Sequence, residues 1–207
     1  KKYQTLSISD LSLEEGQQWT FKILRYWDID EVFSQNKLKS FVSNNFSQYS
    51  ENRNIPSIDG TSKLSPYLHY GQTSPNQIFY ELSKSGQENW KESQYLAEIG
   101  WREFGYYLMF HFPKTINEPL RQEFKNFPWE KNEVLFRAWK NGKTGYPLVD
   151  AGMRELWETG WMHNRVRMVV ASFLVKHLLI DWKEGAKWFW DTLVDADLAS
   201  NTLGWQW

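Results

Sequence analysis

The stretch TGWMHNRVRMVVASFLVKHLLI, residues 159–180, decides the fold, because a glycine and a polar segment are followed there by a long apolar run. Within residues 163–180, side chains at helical spacing form one broad, mainly apolar stripe, made of Val166, Val169, Val170, Phe173, Leu174, His177 and Leu178. A helix with such a stripe buries one face against other elements. We therefore predict a helix over 163–180 that packs into a core.

Helical spacing continues on both sides of this segment. Further helices are predicted over residues 131–140, 147–159 and 183–194, each bounded by Gly or Pro, over Lys91–Phe112, and from Ser74–Pro75 to about Ser83. Ser12 and Glu15 have capping-box spacing, which places another helix start near Leu13. Residues 48–66 contain turn formers and no period, which predicts loops. Without a repeat or a convincing strand, the predicted class is all-α, with long loops in the first third.

Composition narrows the classes of function. The 207 residues are 41% hydrophobic and 24% charged, as in a folded globular protein. With 24 Lys and Arg against 25 Asp and Glu, any nucleic-acid binding must be confined to one face. The absence of Cys and the presence of only 4 His argue against disulfides, a Cys nucleophile and a metal centre. No apolar window of about 18 residues and no signal peptide occur, so we expect no membrane partner and a cytoplasmic protein.

Aromatic residues are unusually abundant, at 13 Trp, 10 Tyr and 13 Phe. Such a surplus serves to stack on flat ligands, bases or cofactors. It also fits a Trp-rich core, and composition leaves both interpretations open.

Two polar groups could carry chemistry. The segment 161–168 places a His, an Asn and two Arg at a helix start, which is either a capped end with solvated Arg or an anion site. Asp195 and Asp197 lie near Asn201 in an apolar segment, so they either cap the next helix, pair with Arg or accept hydrogen bonds from a ligand. A divalent metal lacks a third ligand there.

Six motifs occur together in one order: Gly60–Ser65, Glu98–Phe104, Gly142–Pro147, Thr159–Arg165, Asp195–Ala199 and Gly204–Trp207. The set resembles the FAD-binding helical domain of the DNA photolyase and cryptochrome family, and is most similar to class I cyclobutane pyrimidine dimer photolyases. The resemblance implies that residues 1–48 form a linker and first helices, and that 49–207 form an FAD-binding helical domain that is incomplete at its C-terminus. The family's N-terminal α/β antenna domain, with its folate or deazaflavin pigment, would be missing, and the full-length parent would be monomeric.

The resemblance also implies which residues bind FAD. The hydroxyl-rich loop would hold the flavin's phosphates, and Tyr49 would contact the cofactor. Asp195 and Asp197 would face the imide and N–H edge of the flavin ring, Arg167 would pair with Asp195, and Asn201 would lie opposite N5. The complete expected set is Tyr49, Thr61, Ser62, Lys63, Leu64, Ser65, Arg167, Asp195, Ala196, Asp197 and Asn201. Tyr95 stands where many relatives have Trp.

The same matching implies a lesion pocket and a DNA-binding surface. Glu98 would bond the imide edges of a flipped pyrimidine dimer, Asn164 and Met168 would line the pocket, and Trp101 and Trp207 would form its flat walls. Arg53, Arg102 and Arg165 would contact the DNA backbone. Glu98, Asn164 and Asn201 would thus be the catalytic set, together with a Trp relay of electrons to the flavin through Trp205, Trp182 and Trp129.

As a function, the resemblance implies a deoxyribodipyrimidine photo-lyase, in which light-excited reduced FAD passes an electron to the dimer, the ring opens and the electron returns. Its partner would be damaged DNA containing pyrimidine dimers. The Met-His-Asn-Arg segment lacks the second His expected for repair of (6-4) lesions. The alternative is a cryptochrome-type blue-light photoreceptor without repair activity.

Overall fold

The computed structural model describes residues 7–12 and 18–206, and its regular secondary structure in these ranges consists of helices joined by turns and loops. The α-helices are α1 (Glu31–Asn44), α2 (Tyr49–Asn52), α3 (Ser65–His69), α4 (Pro75–Ser83), α5 (Gln94–His111), α6 (Glu133–Lys140), α7 (Pro147–Thr159), α8 (Asn164–Ser172), α9 (Trp182–Thr192) and α10 (Leu198–Gln206). A π-helical segment, Phe173–His177, continues α8. Within the described ranges the only β pairing is an isolated bridge between Glu130 and Ile180. The all-α prediction is confirmed.

Local signals explain the helix boundaries that the sequence predicted well. Ser74 accepts a hydrogen bond from the main-chain N–H of Gln77, whose side chain in turn accepts one from the main-chain N–H of Ser74, so α4 begins with a complete capping box. Helix α7 ends at Gly160, which has a φ of 70° and thus the left-handed conformation that favours glycine. The capping box and helix start predicted around Leu13 lie outside the described residues.

The first helices expected within residues 1–48 include one that periodicity did not locate, and the loop predicted over residues 48–66 is partly wrong. Residues 31–44 form the 14-residue helix α1, whose N-cap Asp30 accepts hydrogen bonds from the main-chain N–H groups of Val32 and Phe33. Leu38 and Phe41 are buried three positions apart on this helix. The segment predicted as loop from Gln48 also contains the short helix α2. The apolar residues of a weakly amphipathic helix show little helical periodicity, which is why the sequence pattern did not reveal α1.

Two hydrophobic clusters form the core of the described part. One combines side chains from α1, α3, α4 and α5, namely Leu38, Phe41, Phe46, Tyr49, Leu64, Tyr67, Ile78, Leu82 and Tyr95. The other combines side chains from α6 to α9, namely Trp139, Val149, Met153, Leu156, Met162, Val166, Val170, Phe173, Leu174, Ile180, Phe189 and Leu193. None of the described helices is both long and apolar enough to cross a membrane.

Helices α9 and α10 meet at Gly185. A Cβ atom there would lie 2.2 Å from Cη2 of Trp205 and 2.6 Å from Cδ2 of Leu174, so the indole packs directly on the α9 backbone. This close approach fixes where the Trp205 side chain lies.

We expect Gly185→Ala to lower the free energy of unfolding by about 1–3 kcal/mol, because the added methyl overpacks the contact with Trp205. Gly100→Ala is the matched control: it lies inside α5 with no atom near its added Cβ. It should raise stability by up to about 1 kcal/mol through helix propensity. Urea titration measures both. Equal stability of the two variants would contradict the packing of Trp205 on Gly185.

Candidate functional site

A cleft of about 370 Å³ collects most of the side chains that the sequence singled out. Its walls come from the loop 61–65, from α5 and from the segments that precede α8 and α10. The lining residues are Tyr49, Thr61, Ser62, Lys63, Leu64, Ser65, Leu68, His69, Tyr95, Glu98, Ile99, Trp101, Arg102, Trp161, Met162, Asn164, Arg167, Asp195, Asp197, Ser200 and Leu203. Positions more than 130 residues apart in the chain therefore face one space.

The hydroxyl-rich loop forms one wall. Lys63 has a φ of 49°, a conformation uncommon for a residue with a side chain and frequent where a loop is shaped for a ligand. Its ammonium pairs with Asp59 at 3.0 Å and lies 5.4 Å from the centre of the Trp161 ring. Leu64 is only 1% exposed because its side chain belongs to the core, so its main chain is the part available to a ligand.

Asp195 is the polar centre of the cleft. Its Oδ2 atom accepts hydrogen bonds from the Ser65 hydroxyl at 2.5 Å and from Nη2 of Arg167 at 2.8 Å. Arg167 is held in turn by the main-chain oxygen of Met162, to which its Nε donates at 2.7 Å. The Oδ1 atom of Asp195 is buried and has no hydrogen-bond partner among the described residues. A buried carboxylate oxygen left open in this way is an acceptor for a ligand N–H.

A smaller cavity of about 130 Å³ continues from the cleft and shares with it Asn164, Arg167, Asp195, Asp197 and Ser200. It adds Ala196, Met168, Asn201 and Trp205. The Asn201 amide is fixed at both ends, because its oxygen accepts from the Trp205 indole at 3.0 Å and its nitrogen donates to the main-chain oxygen of Ala186 at 3.1 Å. The hydroxyl-rich loop thus lines the cleft, and the Asn201 amide and the Trp205 indole line the smaller cavity.

Asp197 differs from Asp195 in that the protein fills both of its carboxylate oxygens. Oδ1 accepts from the main-chain N–H of Ser200 at 2.8 Å, and Oδ2 accepts from the Tyr106 hydroxyl. Burial alone would raise the pKa of Asp197, but the bonds from Tyr106 and Ser200 outweigh it and hold this pKa below its usual range. Burial, and then the hydrogen bond that the Tyr106 hydroxyl donates to Asp197, raise the pKa of Tyr106 to about 12.

Of the predicted lesion-pocket residues, Glu98, Trp101 and Asn164 line the cleft, and Met168 lines the smaller cavity. Glu98 accepts a hydrogen bond from Gln94 and pairs with Arg53 at 2.7 Å. Trp101 is 48% exposed and Met168 is 54% exposed. Trp207, the other predicted wall, lies outside the described residues.

The predicted phosphate-binding arginines each have a contact inside the protein. Arg53 pairs with Glu98, Arg102 pairs with Glu103 at 2.7 Å, and Arg165 donates to the Asn54 side chain at 2.6 and 3.0 Å. A phosphate would have to compete with these contacts.

The three tryptophans predicted as a relay lie on or near helices α9 and α10. Trp205 lines the smaller cavity, and buried Trp182 borders a neighbouring one together with Asn201. Trp129 precedes Glu130, whose bridge with Ile180 places it close to the start of α9.

Sequence reasoning missed several residues of the site. His69, Tyr106 and Trp161 were not predicted, although Trp161 belongs to a motif that was quoted and its neighbours pointed to it. Tyr95 was noted only as a departure. It is 3% exposed and lines the cleft floor, and burial raises the pKa of its hydroxyl.

Comparison with known proteins gives a consistent result. Residues 95–207 match the family model described as the FAD binding domain of DNA photolyase. A deoxyribodipyrimidine photo-lyase of Agrobacterium fabrum is 48% identical over 91% of this chain and 40% of its own length. Cryptochrome-2 of Arabidopsis thaliana is 42% identical over 97% of this chain and 34% of its own length. The chain therefore spans about two fifths or less of these relatives.

A solved structure shares the fold almost completely. The crystal structure of a bacterial class III photolyase from Agrobacterium tumefaciens superposes with a TM-score of 0.92 at 44% identity. The match covers 99% of this chain and 43% of that one.

His163, the N-cap of α8, is 4% exposed, and its Nδ1 accepts from the main-chain N–H of Arg165 at 3.2 Å. Burial, and then the nearby charges of Arg165 and Arg167, lower its pKa. In the unfolded chain His163 takes up a proton near pH 6.5, whereas in the folded protein it does so only at lower pH. The contribution of neutral His163 to the free energy of unfolding should therefore be complete above about pH 6.5. It should be lost as the pH falls towards the lower pKa that His163 has in the folded state.

We expect His163→Asn to be less sensitive to acid than the wild type, because the Asn oxygen can accept the same cap hydrogen bond without titrating. Urea midpoints at about pH 7.5 and about pH 5.5 measure the difference, since every other titrating group is common to both proteins. If the urea midpoints of both proteins fell by the same amount between the two pH values, His163 would not be the group responsible for the loss of stability.

Proposed function

The chain belongs to the DNA photolyase and cryptochrome family, and we propose that it forms the FAD- and lesion-binding part of an enzyme that splits cyclobutane pyrimidine dimers in DNA with light. The observation that supports this proposal is the cleft in which the hydroxyl loop and buried Asp195 face the same space as Glu98 and Trp101, with Met168 in the adjoining smaller cavity. A site for cofactor and a site for a flipped lesion would thus be neighbours.

FAD is the cofactor of this domain family, and the residues of the cleft fit it. The open Oδ1 atom of Asp195 is the acceptor that the imide N–H of a flavin ring requires. The loop 61–65 offers hydroxyl and main-chain N–H donors of the kind that hold a pyrophosphate. When bound and reduced, FAD supplies the electron that light drives into the lesion.

The protein's share of the chemistry is positioning and charge. Arg167 pairs with the buried Asp195 carboxylate and compensates its charge, and this carboxylate keeps one oxygen open for a hydrogen bond from the ligand. The fixed amide of Asn201 presents one orientation to the ring. Trp205, Trp182 and Trp129 would deliver electrons from the surface, since indole is the most readily oxidised of the apolar side chains available here.

The mouth of the cleft supplies the groups that a flipped dimer needs. Trp101 offers a flat face to replace the stacking lost on flipping, and Glu98 offers acceptors for imide N–H groups. Asn164 adds an amide beside them. Arg53, Arg102 and Arg165 would neutralise phosphates around this opening.

A blue-light photoreceptor is the second candidate, because the plant cryptochromes are almost as similar to the chain as the photo-lyases are. The Agrobacterium photolyase structure is of class III, so the motifs do not single out class I. What favours repair is the cleft mouth, because a receptor has no need of an open pocket with an acidic group and aromatic faces.

Light-driven repair of an oligonucleotide with one thymine dimer, followed by chromatography of the product, tests the proposal in the full-length protein. We expect dimer loss in the light and none in the dark. Glu98→Gln should lower the rate by roughly 10- to 100-fold through loss of a charged hydrogen-bond acceptor. Glu88→Gln, at an exposed position that lines neither the cleft nor the smaller cavity, should not. A protein that binds FAD but leaves the dimer intact in light would instead be the photoreceptor.

Binding to DNA should separate the pocket from the backbone contacts. We expect Trp101→Ala to weaken the binding of dimer-containing DNA specifically, by about 1–3 kcal/mol, because the stacking contact is lost. Arg165→Ala should weaken the binding of damaged and intact DNA by the same amount. It should also reduce the slope of log affinity against log salt concentration by about one. Fluorescence anisotropy at several salt concentrations measures both. If each variant lost the same affinity for both DNAs, these roles would be wrong.

A further inference from the structure

Ser65 ends the hydroxyl-rich loop and is the first residue of α3. Its hydroxyl donates to Oδ2 of Asp195 at 2.5 Å, although the two residues are 130 positions apart in the chain. Leu64 and Pro66, the residues on either side of it, are both buried, so the main chain at Ser65 is anchored from both sides. The loop that was expected to hold phosphates is therefore tied, at its end, to the carboxylate at the centre of the cleft.

A serine hydroxyl has only one hydrogen to donate. Ser65 gives this hydrogen to Asp195, and the lone pairs that remain on its oxygen find no hydrogen on the deprotonated oxygens of a pyrophosphate. The hydroxyl could turn to a phosphate only by leaving Asp195, which exchanges a bond to a carboxylate for a bond to a phosphate. Such an exchange yields little net affinity for the phosphate.

Ser62, in the same loop, is bonded in the opposite sense. Its oxygen accepts from the main-chain N–H of Leu64 at 3.3 Å, which leaves its own hydrogen to donate. Both serines line the same cleft. Ser62 is thus the hydroxyl of the two that suits a phosphate, and it provides a matched comparison for Ser65.

The bond from Ser65 also helps to decide which oxygen of Asp195 a ligand meets. Oδ2 accepts from Ser65 and, at 2.8 Å, from Nη2 of Arg167, so both of its lone pairs are used. Oδ1 is the buried oxygen that has no hydrogen-bond partner among the described residues. Because Ser65 reaches the carboxylate from α3 and Arg167 reaches it from α8, the two donors together oppose its rotation. Oδ1 is thereby kept in place for a ligand N–H.

We propose that Ser65 is a positioning residue, which orients the Asp195 carboxylate towards the edge of the flavin ring, and that its hydroxyl is not part of the phosphate site. This inference rests on the proposed function, because it requires that the cleft binds a flavin. It replaces the expectation, drawn from the family resemblance, that the hydroxyl of Ser65 helps to hold the phosphates.

Riboflavin has the flavin ring but no phosphate, so fluorescence titration of the full-length protein with riboflavin and with FAD separates the two roles. We expect Ser65→Ala to weaken the binding of both ligands by the same factor, about three- to tenfold, because both lose the oriented acceptor. Ser62→Ala should weaken FAD binding by about threefold or more but leave riboflavin binding within about twofold of the wild type. Ser65→Thr keeps the hydroxyl and should bind both ligands within about twofold of the wild type.

The double variant Ser65→Ala, Asp195→Ala should bind FAD no more weakly than Asp195→Ala alone, because Ser65 acts through that carboxylate. A further loss would show that Ser65 acts on the phosphates or on the fold, and would refute the proposal even if riboflavin bound too weakly to titrate. The proposal would also be refuted if Ser65→Ala weakened FAD binding but not riboflavin binding, or changed neither. If Asp195→Ala failed to fold, the riboflavin comparison would decide. A wild type that binds no FAD would refute the proposed function itself, and this inference with it.

Discussion

The buried pair of Arg167 and Asp195 is the interaction on which the site depends. Placing a carboxylate in a largely apolar segment costs several kcal/mol unless a cation and hydrogen bonds compensate it. Arg167 on α8 and Ser65 at the start of α3 supply that compensation. The pair therefore ties the hydroxyl loop, α8 and the segment before α10 into one cleft. It also leaves one acceptor of the carboxylate open.

The tryptophan surplus serves both purposes that composition left open. Trp139 is fully buried, and its indole N–H donates to the main-chain oxygen of Val170, so this residue is part of the core. Trp157 is stacked between Trp19 and Trp188 away from the cleft. Trp101 and Trp161 line the cleft instead. A stacking role and a packing role are therefore divided among different members of the same residue type.

The sequence predicted those features that depend on local spacing or on a complete motif. Helices α4 to α9 were expected because caps, glycines and apolar periods are local signals, and the pairing of Arg167 with Asp195 was expected from the family resemblance. The resemblance implied first helices within residues 1–48, but the apolar pattern did not locate α1 because this helix is only weakly amphipathic. The bond between Tyr106 and Asp197, which are 91 residues apart, has no local signal, since it exists only when α5 packs on α10. The hydrogen bond between Asp197 and α5 therefore could not be predicted from the sequence.

The most direct test of this account is the affinity for FAD of the wild type and of Asp195→Ala, measured by fluorescence titration, with Asp191→Ala on α9 as the control. Removing one partner of a buried pair leaves Arg167 uncompensated and deletes the ring-edge acceptor. We predict that Asp195→Ala binds FAD roughly 100-fold more weakly or worse, while the exposed Asp191 is dispensable. A folded Asp195→Ala protein that binds FAD as tightly as the wild type would contradict the account.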